Sequence, residues 1–265
     1  MLTSELKESD KMVKAPVSVV VIAKNEERRL EECLKSAADW AREIVVLDDM
    51  STDRTVEIAK QFTDKIFQRK MDIEGKHRNY AYSLASQDWV LSLDADERVT
   101  PELAEEIRKA TQDSSREFVC HAMPIKTFIG KEWIQGAGYY PSPKTRLFRK
   151  GEFRYEEARV HPAVKYEGKC GLLKGDILHY SCENLEQWIG KFNRETTLEA
   201  DKWIRDGRKV KLPNILRKTV DRFLKNYFLK DGWKHGFMGY FMSCFHGLYQ
   251  LISYAKYRGM KRKND

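Results

Sequence analysis

Two aspartates one residue apart, Asp94-Ala95-Asp96, follow the apolar run Trp89-Val90-Leu91-Ser92-Leu93. Residues i and i+2 of an extended chain point the same way, so at the end of a buried strand both carboxylates can face one cleft. Paired carboxylates are hard oxygen ligands suited to Mg²⁺ or Mn²⁺, which commonly hold a diphosphate as well. Such an ion would act as a Lewis acid, neutralising charge on a departing nucleoside diphosphate. Asp-x-Asp alone is frequent on surface loops. Its weight here comes from a second acidic pair, Asp48-Asp49, which closes the run Ile44-Val45-Val46-Leu47.

The elements that position these pairs follow from the apolar pattern. Val17-Ser18-Val19-Val20-Val21-Ile22-Ala23 is a β-branched run suited to a strand buried on both faces. After Asn25-Glu26-Glu27, Leu30, Cys33, Leu34 and Ala37 recur at helical spacing. Ser51 or Thr52 is expected to cap a helix that buries Val56, Ile58, Ala59 and Phe62. Lys65-Ile66-Phe67 predicts a third strand, residues 76–86 a helix, and 89–93 a fourth strand. Thr100-Pro101 then supplies a cap and a first-turn proline for a helix through Ala110. Four strand–helix alternations in about a hundred residues indicate a parallel α/β sheet, whose ligands sit at the carboxyl ends of its strands. Both acidic pairs fall at such ends and are expected to meet in one cleft. Glu97, close to Thr100, reads as a helix-start residue. From 118 the pattern breaks into short strand-like pieces, and from about 185 it is helical.

Bulk composition narrows the class. With 42% apolar and 33% charged residues, the 265-residue chain can build a sizeable core. The charged opening Met1–Asp10 lacks the apolar stretch of a secretory signal. Five cysteines without Cys-x-x-Cys spacing argue against a disulfide framework or a structural zinc, and make a reducing cytoplasm the expected location. The charge is uneven. Residues 201–265 carry sixteen Lys/Arg against five Asp/Glu, whereas the first 200 carry 32 against 35. Within that basic quarter, residues 236–255 hold no Asp, Glu, Lys or Arg, and Phe237, Phe241, Phe245 and Leu248 recur at helical spacing. Lys234, Lys256 and Arg258 flank the stretch. It reads either as a helix packed on the catalytic domain or a partner, or as one lying on an anionic membrane surface. Three glycines, His246 and Gln250 argue against its spanning a bilayer.

Val19 to Glu26, Ile44 to Asp53, Arg78-Asn79 and Asp94-Ala95-Asp96-Glu97 together resemble family 2 glycosyltransferases of the GT-A fold. Arg146-Leu147-Phe148-Arg149, Val160-His161 and Leu178-His179-Tyr180 are similar to the subgroup that adds glucose to the lipopolysaccharide inner core. The resemblance covers about residues 15–180. It implies a Rossmann-like, mostly parallel sheet flanked by helices, with a C-terminal helical extension. The expected organisation is a flexible tail over 1–14, a catalytic domain over 15–185 and a basic helical extension over 186–265.

The resemblance also implies roles. Asp48 would bind the uracil or ribose, Asn25 and Glu26 would line the nucleotide pocket, and Arg78 would lie near the base or diphosphate. Asp94 would contact ribose and metal, and Asp96 would ligate Mn²⁺ or Mg²⁺. Such enzymes transfer a hexose from a UDP-sugar to a lipid-linked saccharide, inverting the anomeric carbon while a carboxylate deprotonates the acceptor hydroxyl. That base is harder to place. The subgroup often reads Val-His-Glu where this chain has Val160-His161-Pro162, leaving Glu157, Glu156 and His161 as candidates with Glu157 slightly favoured. The subgroup also usually has Gly where this chain has Met50. A sugar-nucleotide nucleotidyltransferase would carry a glycine-rich loop after its first strand, and Ala23-Lys24-Asn25-Glu26-Glu27 has no glycine. A non-catalytic membrane- or nucleic-acid-binding module using the basic tail fits poorly with the acidic cluster, which repels phosphate unless a metal intervenes, so no nucleic-acid partner is expected. The implied location is cytoplasmic, peripheral on the inner face of the membrane.

Overall fold

The computed structural model describes residues 14–157 and 163–264. Most of the expected tail and His161 lie outside the described residues. The first half runs β1 (Ala15–Ala23), α1 (Leu30–Ala38), β2 (Ala41–Asp48), α2 (Thr55–Ala59), β3 (Ile66–Gln68), α3 (Glu74–Ser83), β4 (Trp89–Asp94), β5 (Glu97–Val99) and α4 (Pro101–Gln112). Short strands follow: β6 (Phe118–Met123), β7 (Ile125–Ile129), β8 (Glu132–Trp133), β9 (Lys144–Arg149), β10 (Phe153–Tyr155), β11 (Val164–Tyr166), β12 (Lys169–Leu172) and β13 (Ile177–Cys182). Three helices complete the chain, α5 (Leu185–Arg205), α6 (Leu212–Leu224) and α7 (Gly236–Asn264), with a π-helical turn and a 3₁₀ turn between the last two.

The chain forms two compact units, one of residues up to Pro124 with Pro143–Leu178, the other of Ile125–Ser142 with His179 onward. The division differs from the expected break at 185/186. Residues 125–142 belong with the helices because Ile129, Ile134 and Ala137 share a buried cluster with Cys182 and Met242.

In the first unit a seven-stranded sheet has the order β12-β6-β9-β4-β1-β2-β3. Strands β3, β2, β1 and β4 are mutually parallel, and β9 runs antiparallel to β4 and β6. β1 is the central member of the parallel set. Its valines at 17, 19, 20 and 21 are fully buried, as a strand covered on both faces requires. The helix spacing read from the sequence holds in α1, which buries Leu30, Cys33, Leu34 and Ala37. In α4 the Thr100 hydroxyl accepts the Leu103 amide at 3.3 Å, with Pro101 in the first turn. Val20, Val45, Leu47, Val90 and Phe148 form the core behind the strand ends, where Phe148 stacks on Phe153 at 4.0 Å. One acidic residue is built into this layer. Glu43, 7% exposed, accepts bonds from Ser18, Lys65 and the Ser86 amide.

In the second unit β7 pairs with β8, and α5 and α6 both pack on α7. Met242, Tyr254 and Tyr257 of α7 are buried. Gly247 permits a close approach, since a Cβ there would stand 2.7 Å from the Thr219 carbonyl of α6. Much of the apolar surface of 236–255 is thus covered by α5 and α6 of its own unit, while Phe237 and Tyr240 stay exposed. Among the described residues no helix is long and apolar enough to cross a membrane.

Candidate active site

Strand register brings the acidic pairs together. Ala23 at the end of β1 is level with Asp48 of β2 on one side, and Ile22 is level with Asp94 of β4 on the other. With one strand between them, the two aspartate Cα atoms stand about 10 Å apart at the same carboxyl edge. The two strand ends thus meet at one edge, the usual ligand position in such sheets.

The loops leaving β1 and β2 are bound to each other. The Asn25 amide donates to Ser51 Oγ at 2.9 Å, while Asn25 Oδ1 accepts the Thr52 amide at 2.8 Å. The Glu26 amide donates to Thr55 Oγ1 at 2.8 Å, and the Glu26 carboxylate accepts from Arg29 at 2.8 Å. Ser51 and Thr52 therefore serve Asn25 rather than capping α2, a correction to the expected helix start, and no side chain of the residue before α2 caps it. Asn25 and Met50 both adopt left-handed backbone, φ 53° and 56°, which costs a non-glycine residue free energy.

Asp48 is fully buried. Its Oδ2 accepts the Ser51 amide at 3.0 Å and Gln68 Nε2 at 2.9 Å, whereas Oδ1 has no protein partner. Asp49 is spent on structure, accepting Lys24 at 2.9 Å and the Met71 amide at 2.8 Å. Burial raises its carboxyl, but those two donors outweigh it and hold it below the usual range.

Asp94 sits between two guanidiniums. Arg78 reaches Oδ1 at 3.2 Å and Arg146 reaches Oδ2 at 2.9 Å. Burial opposes ionisation of Asp94, yet Arg146 and then Arg78 prevail and keep the carboxyl well below the ordinary carboxylate range. Arg146 also bonds Glu97, which is 1% exposed and accepts the Asp94 amide at 3.0 Å. Glu97 lies in β5 and fixes both the backbone and the counter-ion of Asp94, so its reading as a helix-start residue is corrected. Asp96 is largely buried, with Oδ2 3.8 Å from Arg29.

Arg78 is brought to Asp94, and its guanidinium lies 5.6 Å from the Tyr155 ring centroid. Its neighbour Asn79 donates to the Tyr155 carbonyl and accepts the Tyr155 amide, both at 2.9 Å. The chain then passes to Glu156 and Glu157, which with Asn79 and Lys165 line an open groove of about 560 Å³. Glu157 is exposed. Glu156 is tied to Lys165 at 2.8 Å, and that bond lowers its carboxyl.

The sequence did not mark Arg146 and Glu97 as partners of Asp94, nor His77 as a buried histidine. His77 is 1% exposed in α3 with neither ring nitrogen hydrogen-bonded to protein, and burial holds its pKa below the usual value. The sequence signals for Arg146 were its place in the strand run Thr145-Arg146-Leu147-Phe148 and in the subgroup-like Arg146-Leu147-Phe148-Arg149, neither of which names Asp94 as its partner.

Among the described residues no group of three or more His, Cys, Asp or Glu gathers as a metal cage. Mg²⁺ and Mn²⁺ do not require one, because they are usually held by one or two carboxylates with substrate phosphates and water. Asp94 and Asp96, two residues apart at a strand end, carry hard oxygens of the type such ions take, with both Asp94 oxygens engaged here by Arg78 and Arg146.

The chain is similar to known proteins over most of its length. The lipopolysaccharide core biosynthesis glycosyltransferase LpsC of Rhizobium meliloti is 28% identical over 255 residues, covering 92% of this chain and 92% of LpsC. The uncharacterized glycosyltransferase RP128 of Rickettsia prowazekii is 27% identical over 260 residues, covering 94% of this chain and 89% of the relative. Among solved structures, residues 1–349 of S. aureus TarS align over 94% of this chain and 92% of that one, at 18% identity and a TM-score of 0.47. The glycosyl transferase family 2 model matches residues 18–168, a span that contains Asp48, Asp94 and Asp96 with Arg78, Glu97 and Arg146. The α/β sheet that carries this edge is the GT-A fold, and the chain belongs to glycosyltransferase family 2.

Proposed function

We propose that the protein transfers a hexose, glucose by the resemblance of its motifs, from a UDP-sugar to a lipid-linked saccharide of the lipopolysaccharide-core class, with inversion at the anomeric carbon. The carrying observation is the placement of Asp48 and Asp94 on either side of the β1 end. Asp48 Oδ1, a buried acceptor without a protein partner, suits the N–H of uracil or a ribose hydroxyl. Asn25 and Glu26 line the nucleotide pocket from the β1 loop, and Arg78 adds positive charge beside the diphosphate. Asp96, with Asp94, would hold Mn²⁺ or Mg²⁺, which when bound supplies charge neutralisation for the departing nucleoside diphosphate.

Glu157 is the proposed base for the acceptor hydroxyl, with His161 the second candidate. Glu156 is engaged by Lys165, a bond that lowers its carboxyl and occupies the oxygen a base would use. A lipid-linked acceptor of this class supports a peripheral position at the inner face of the membrane.

UDP-sugar hydrolysis with Mn²⁺ tests the reading. Asp96→Ala is expected to abolish turnover while the thermal unfolding profile is kept, and Glu157→Gln to lose transfer while UDP binding survives. Metal-independent donor binding, or full activity in Asp96→Ala, would remove the carboxylate pair from the mechanism.

A further inference from the structure

Helix α6 carries one more apolar row than its packing uses. Ile215, Thr219 and Phe223 form the inner row, with Ile215 2% exposed and Thr219 and Phe223 lying against the Gly247 position of α7. One residue round, Leu212, Leu216, Val220 and Leu224 form a second row. Residues four apart on an α-helix step round by about 40°, so this row is an unbroken stripe about 120° wide. All four are exposed, Val220 at 55%.

The apolar surface continues past the helix. Leu229 is 80% exposed, Trp233 53% and Phe237 74%, in the turns and the first residues of α7. Single exposed leucines are ordinary on a soluble protein, but a continuous run of large apolar side chains marks a contact surface. Its companions are basic. Arg217 and Lys218 follow the stripe round α6, and Lys225, Lys230 and Lys234 alternate with the exposed residues of the turns. Between 207 and 240 the chain has nine Lys/Arg and two acids, Asp221 and Asp231. An apolar stripe bordered by Lys and Arg, with an exposed Trp, is the arrangement by which a helix lies in the headgroup region of an anionic leaflet. A protein partner or second copy matched to so basic a rim would need an acidic face in return.

We infer that α6 and the turns leading into α7 form a face that seats on an anionic lipid bilayer. This deepens the membrane part of the proposed function, on which it rests for its biological sense. It also moves the contact from 236–255, whose apolar residues largely pack inside the unit, to 212–237.

The test is co-sedimentation of the full chain with phosphatidylcholine vesicles and with vesicles that also contain phosphatidylglycerol, at low and high salt. The chain is expected to bind the anionic vesicles, less well at high salt. Leu216→Glu with Val220→Glu, both at exposed positions, should lower the partition more than tenfold. Lys218→Glu with Lys225→Glu should lower it about fivefold for each charge removed. Circular dichroism confirms that each variant is folded. Undiminished binding by both folded variants overturns the inference. So does a concentration-dependent dimer, formed without lipid and dissolved by Leu216→Glu with Val220→Glu, which would assign the face to a second copy. UDP-sugar hydrolysis, measured on the same samples, separates the two claims: its absence in the native chain counts against the catalytic reading alone.

Discussion

Replacing Arg146 by Met isolates the counter-ion of the acidic cluster. Met keeps much of the arginine stem's volume but removes the guanidinium shared by Asp94 and Glu97. The two carboxylates respond differently. Asp94 is one-third exposed and retains Arg78, so its loss is small, within about 1 kcal/mol. Glu97 is 1% exposed and would be left as a buried carboxylate facing Asp94 without its arginine. Removing one partner of such a buried pair costs about 3–5 kcal/mol. At about 2–4 °C per kcal/mol for a unit of this size, the melting temperature should fall by roughly 6–20 °C. Adding Glu97→Gln removes the stranded charge while leaving an oxygen for the Asp94 amide, and should recover about 2 kcal/mol. Thermal and urea unfolding of the native chain, the single variants and the double variant give the coupling directly. A loss below about 1 kcal/mol in Arg146→Met, or a double variant weaker than Arg146→Met alone, would refute this account of the network.

Acid stability offers a second check. Burial opposes ionisation of Glu43, but Lys65, Ser18 and Ser86 overcome it and hold the carboxyl down to about 2. The folded value lies below the unfolded one, so this stabilisation is complete above about pH 5 and is lost as pH falls through the folded value. At neutral pH it amounts to about 3 kcal/mol. Glu43→Gln should lower stability at pH 7 and flatten the decline between about pH 4.5 and 2; an unchanged acid limb in equilibrium unfolding would contradict this. Met50→Gly should stabilise by about 0.5–1 kcal/mol, the relief of a left-handed non-glycine residue less the added freedom of the unfolded chain. A lower melting temperature for that variant would mean that the φ 56° backbone carries no strain.

Legibility in the sequence followed the range of the interaction. The meeting of Asp48 and Asp94 was readable because β-branched runs fix buried parallel strands, and each aspartate ends one. The arginine that holds Asp94 was not, because it arrives from β9, which pairs antiparallel with β4 from more than fifty residues away. No local pattern encodes that neighbour. Glu97 misled for the opposite reason. Helix-dipole logic at Thr100 was sound for α4, but a three-residue strand intervenes, and the glutamate turns inward to Arg146. For 236–255 periodicity marked an apolar helix without saying what covers it. α5 and α6 do, and the uncovered row lies on α6, where the polar residues between its leucines hid it from a search for charge-free stretches.

The two bonds between Asn79 and Tyr155 have a consequence for association. β10 pairs with β11 on one side, and a strand whose other side shows free N–H and C=O groups is a template for a foreign strand. At Tyr155 both groups are taken by one side-chain amide, which imitates the missing neighbour. The position therefore demands a side chain that both donates and accepts at that reach. Aspartate would lose the donor and alanine both, leaving a short open edge where the chain enters the groove lined by Glu156 and Glu157. Asn79 is thus a seal against unwanted strand addition as well as the chain neighbour of Arg78, which bonds Asp94.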